Sequence, residues 1–102
     1  MLVVFTTVSN MAAGETLAAK IVEAKLAACV QVLPRMTSVY VWEGRVTKEV
    51  EHLLLIKTLS EKYDELRDFI TANHSYEVPE IVAIESASVS DSYLTWMMTA
   101  LQ

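Results

Sequence analysis

Residues 37–58 read TSVYVWEGRVTKEVEHLLLIKT, and the way this stretch pairs decides the fold. Glu43-Gly44 forms a plausible tight turn, which joins two extended runs, 28–42 and 46–58, into one long hairpin. Both runs exceed the about 5–6 residues of an ordinary strand. Pro34 lies inside the first run and predicts a bulge or a local break there. A two-residue loop places Val39, Val41, Val46, Val50, Leu54 and Ile56 on one face, which suits packing against helices. Ser38, Tyr40, Trp42, Glu49, Glu51, Leu53, Leu55 and Lys57 then share the other face. The run HLLLIK carries apolar residues on both faces, as a strand buried on both sides does.

The segments around the hairpin fall into place from local signals. Residues 2–8, LVVFTTV, are β-branched and aromatic and read as a strand. Ser9 or Asn10 then caps a helix over about 11–27, whose apolar stripe runs through Leu17, Ile21, Ala24 and Ala28. Ser60 caps a second helix, with Glu61, Asp64 and Glu65 in its first turn and Tyr63, Leu66, Phe69 and Ile70 on its apolar face. Asn73 suits a left-handed helix end, and Pro79 suits the start or edge of the strand EVPEIVAIESASV. Residues 90–101 form a last helix, capped by Ser90 or Ser92 and anchored by Tyr93 and Trp96. The order β-α-β-β-α-β plus a terminal helix predicts an α+β, ferredoxin-like sandwich over residues 1–102 as one domain. Both crossover helices fall on one side of the sheet. A second apolar face with nothing over it predicts self-association.

Charge narrows the possible partners. The formal net charge is −5, with 8 basic and 13 acidic side chains and no basic tract. That pattern excludes a nucleic-acid footprint and favours cations over phosphates. No run reaches the about 18–20 apolar residues of a membrane span, and the apolar opening has no basic flank like that of a secretory leader. One cysteine, Cys29, forms no internal disulfide and fits a reducing compartment, so the expected location is the cytoplasm. The sequence has no G-x-S-x-G, H-E-x-x-H, P-loop or C-x-x-C, so no enzyme is expected.

Four segments together are distinctive: EAKLAACVQVLP, the hairpin quoted above, HSYEVPEIVA and SYLTWM. They resemble the CutA family of divalent-cation tolerance proteins over nearly the whole chain. The resemblance implies a ferredoxin-like fold, a homotrimer with its sheets packed inward, and weak binding of a divalent cation such as copper. The family's usual His-Pro-Tyr turn is here His74-Ser75-Tyr76. Where enterobacterial members carry a cysteine and two adjacent histidines associated with copper, this chain has Thr6, Asn73 and His74. Of these only His74 is a good copper ligand. The alternative implied reading is a PII-like sensor of small ligands held in clefts between subunits. The candidates for that cleft are Tyr40, Trp42, Glu49, Glu51, Lys57, Tyr76, Glu77 and Glu80. Lys57 is expected to pair with Glu49 or Glu51, in its own or a neighbouring subunit, and His52 is expected to be structural. Cys29 is the fallback metal ligand should His74 not serve.

Overall fold

The computed structural model describes residues 1–102. Its strands are β1 (Leu2–Val8), β2 (Cys29–Val32), β3 (Met36–Trp42), β4 (Arg45–Thr58) and β5 (Val82–Glu85), and its helices are α1 (Met11–Glu23), α2 (Tyr63–Asn73) and α3 (Asp91–Ala100). Every strand pair is antiparallel. The sheet runs β2-β4-β1-β5, and β3 pairs with the first half of β4. Counted as one interrupted strand, β2 and β3 complete the ferredoxin-like order. The interruption falls at residues 33–35, where Pro34 has no amide to give the ladder. No helix is long and apolar enough to cross a membrane.

The hairpin closes through Glu43 (φ 51°) and Gly44 (φ 77°), with Trp42 opposite Arg45. Two left-handed central residues make the type I′ form, whose twist matches the strands it joins. Asn10, not Ser9, caps α1, accepting from the Ala13 amide at 2.8 Å. Helix α1 ends at Glu23, four residues before the expected end at about 27. Lys25 turns left-handed at φ 58°, and the amides of Lys25 and Leu26 bond back to Val22 and Ile21. That is a Schellman end, built here without glycine.

The ends of the second helix also differ from expectation. Ser60 begins a 3-10 turn and gives its hydroxyl to the Glu85 carboxylate at 3.2 Å instead of capping α2. Asn73 stays helical, its side-chain amide donating to the Phe69 carbonyl at 2.8 Å, and His74 leaves the helix in extended geometry. No left-handed residue is needed because the chain exits straight into a turn. The last strand contracts to Val82–Glu85, and Ser90, not Ser92, caps α3.

The helices cover only one end of the sheet. Val4, Leu54 and Ile56 are fully buried there with Ile21, Leu66 and Ile70. Helix α1 rides close to the strands: a Cβ on Gly14 would stand 3.0 Å from Val32 and 3.1 Å from Val8. The expectation that Val39, Val41, Val46 and Val50 also pack under helices does not hold. Val39, Val41 and Val46 are 59%, 67% and 74% exposed, and Val50 is exposed as well. The reason is length. Fourteen residues of β4 reach about 46 Å, whereas thirteen of α1 reach about 20 Å, so the hairpin projects as an arm. On the opposite face Val3, Phe5, Leu53 and Leu55 are half-buried, beside exposed Val82 and Ile84.

Candidate functional site

The projecting arm and the turn after α2 enclose a cavity of about 680 Å³. Tyr40, Trp42, Glu49 and Glu51 enter it from the arm, and Tyr76, Glu77 and Glu80 from the turn. Seven of the eight cleft candidates thus meet at one place. The eighth, Lys57, does not. It lies six residues beyond Glu51 on β4, about 20 Å away, with its ammonium 5.8 Å from the Tyr93 ring centre. No carboxylate of its own chain pairs with it, which corrects the expected Lys57 pairing with Glu49 or Glu51 inside one chain. Thr7 and Ser38 also line the cavity. Ser38 shares the Tyr40 face by simple alternation. Thr7 reaches the cavity only because β1 pairs with β4, which no local signal shows.

Glu51 is the central group. It is only 7% exposed, and the Tyr76 hydroxyl donates to it at 2.8 Å. Burial pushes its pKa up, but the Tyr76 hydrogen bond and the neighbouring hydroxyls of Ser38 and Thr7 outweigh it, leaving the carboxyl below its ordinary 4.5. Burial first, then the bond to Glu51, raises the Tyr76 phenol well above its usual range. Burial and neighbouring Glu49 raise the Tyr40 phenol in the same direction. At neutral pH the cavity therefore presents an ionised Glu51 beside neutral phenols. None of Glu49, Glu51, Glu77 or Glu80 is in an ion pair.

His74 holds in place the turn that carries Tyr76. The Tyr76 amide donates to its Nδ1 at 3.0 Å, so Nδ1 accepts, and Nε2–H donates to the Thr7 carbonyl at 2.7 Å. Both nitrogens are occupied in tying the turn to β1, and the ring stacks obliquely on Tyr76 at 4.7 Å. Thr6 is fully buried, its hydroxyl has no partner, and it lines neither of the two cavities. Asn73 and His74 border only a smaller cavity of about 290 Å³ on the helix side. No three His, Cys, Asp or Glu side chains are placed to hold a metal ion. The residues present therefore do not fit a copper centre at Thr6, Asn73 and His74. Cys29 is half-buried at the Lys57 end of the sheet, opposite Lys57 in register. His52 is structural, its buried Nδ1 meeting the Leu33 carbonyl at 2.9 Å.

Fold and site define a small α+β domain: an open-faced ferredoxin-like sandwich with an acidic, aromatic cleft. The sequence profile described as "CutA1 divalent ion tolerance protein" matches residues 2–100, and the chain belongs to that family. It is 47% identical over 96 residues to "Protein CutA, chloroplastic" of Arabidopsis thaliana, covering 94% of this chain and 53% of that one. It is 42% identical over 95 residues to "Divalent-cation tolerance protein CutA" of Thermus thermophilus, covering 93% and 92%. The chain spans about half the length of the plant relatives it matches. The crystal structure of CutA1 from Oryza sativa superposes with a TM-score of 0.94 at 43% identity, covering 97% of this chain and 91% of that one. The periplasmic divalent cation tolerance protein CutA of Archaeoglobus fulgidus does so with 0.95 at 33% identity over the whole of both chains.

Proposed function

We propose that this chain acts as a homotrimeric, non-catalytic protein that responds to cations by binding them in the cleft between arm and turn. The observation that carries the reading is the unpaired acidic wall of that cavity, with Glu51 buried and ionised in its floor. Four acidic side chains outside any ion pair of the chain repel anions and concentrate cations. The divalent-cation and small-ligand readings meet at this cavity, because a sensor of either kind needs a preformed cleft with few polar groups. Trimer formation is supported by the half-buried sheet face through Phe5, Leu53 and Leu55 and by the exposed valines of the arm. A cytoplasmic location is compatible with a chain whose single cysteine, Cys29, forms no internal disulfide.

Copper on His74 has less support, since a metal would have to take a nitrogen already in a hydrogen bond. Calorimetric titration of the trimer with magnesium, zinc and copper tests both sites at once. Weak, salt-sensitive binding that is lost in Glu51→Gln and weakened but not lost in His74→Ala is the expected result. Loss in His74→Ala alone would move the site to the histidine. Cation binding indifferent to both substitutions would overturn the cleft.

A further inference from the structure

The family's description speaks of divalent ions, yet the donors of this chain do not converge on one. No three ligand side chains are placed together, and both His74 nitrogens are in use. The cavity is also far larger than an ion. About 680 Å³ lies within the ~300–1,000 Å³ typical of small-molecule sites. An inner-sphere metal needs several donors at about 2.0–2.6 Å from one point. An organic cation needs only charge, a ring face and room for its carbon skeleton.

The cavity supplies all three. Glu51 is 7% exposed and stands in no ion pair. The Tyr76 hydroxyl helps to keep it ionised inside the cavity, and a negative group held there without a cationic side chain beside it attracts a cation. Tyr40, Trp42 and Tyr76 add three aromatic rings to the lining, independently of the carboxylates. Aromatic faces attract ammonium groups, Trp most strongly. Val39 and Val78 give the lining its aliphatic surface. Glu49, Glu77 and Glu80 extend the negative wall, so phosphates and carboxylates are disfavoured.

We infer that the cleft takes an organic ammonium compound with an aliphatic body, its charged end on Glu51 and its carbon chain against Trp42, Tyr76 and Val78. The inference rests on the reading of this cavity as the site and adds the class of ligand. Tyr76, tied to Glu51 and held by His74, offers its ring face from the turn side.

Calorimetry on the full chain with 1,4-diaminobutane tests it, with 1,4-butanediol and succinate as neutral and anionic controls and magnesium and copper as metal controls. The diamine is expected to bind more tightly than either metal ion, and the two controls not to bind. Its affinity should fall at least tenfold in Glu51→Gln and in Trp42→Ala, and should weaken as salt rises. Glu80→Gln, at an exposed position that does not threaten folding, should give a smaller loss. Metal binding that needs Glu51, with no diamine binding, would overturn the ammonium inference and leave the cation cleft standing. No cation bound at all would overturn both. Diamine binding unaffected by Glu51→Gln, Trp42→Ala and Glu80→Gln would place it outside the cleft and overturn the inference.

Discussion

Two side chains set the chemistry of this protein, Glu51 and His74. Glu51 stays ionised although buried, because the Tyr76 hydroxyl donates to it and the hydroxyls of Ser38 and Thr7 stand near it where water has been removed. Its folded pKa lies below its unfolded one. The stabilisation it contributes is therefore complete above about pH 4.5 and is lost as pH falls through the lower, folded value. Urea unfolding of the wild type should show stability dropping in the acid range, with a flatter profile in Glu51→Gln. Identical acid profiles would mean that Glu51 ionises as readily folded as unfolded. His74, the residue that the family resemblance marks for copper, is spent on architecture: one nitrogen holds the Thr7 carbonyl and the other the Tyr76 amide. A histidine of that kind is recognised only when both partners are seen.

At the scale of elements, the arm and α1 show how length and close approach work together. The arm exists because β4 outruns the helices that cover its second half. Helix α1 covers that half closely because Gly14 carries no side chain where Val8 and Val32 press against it. Leucine at 14 would gain up to about 1 kcal/mol of helix propensity. It would also force side chains into a filled space, at a cost of about 1–3 kcal/mol. Gly14→Leu is therefore expected to lower the melting temperature. A rise would show that α1 lifts off the sheet at little cost. The glycine itself gives no sign in the sequence that it faces a strand, since a lone glycine in a helix is equally often a simple weak point.

For the whole molecule, the decisive feature is a sheet with one covered face and one half-covered one. Val3, Phe5, Leu53 and Leu55 line the second face over the same strands whose other side holds the core. Within the trimer reading, Leu55→Asp places a carboxylate in the inter-subunit core, which costs several kcal/mol, so assembly should fail. Light scattering on the wild type should return about three times the 11.4 kDa chain mass, and the variant should return a smaller species. A variant that keeps both the mass and the heat resistance of the wild type would show that this face points to solvent.

The sequence by itself determined the element order, the break at Pro34, the Glu43-Gly44 turn and the faces of the hairpin. These follow from rules that act over a few residues: side chains alternate along a strand, proline withholds an amide, and left-handed turns favour glycine. Seven cleft residues were legible as well, because they cluster in two short stretches that the family resemblance marks. Only the tertiary structure decided that these stretches, 40–51 and 76–80, close on one cavity, that Lys57 stands at the far end of the sheet, and that the arm's valines lie beyond the helices. It also decided that His74 has no nitrogen to spare. Each of these depends on how far one element reaches past another and on which distant backbone group a side chain meets. Those quantities are set by packing across the sheet and leave no periodic trace along the chain.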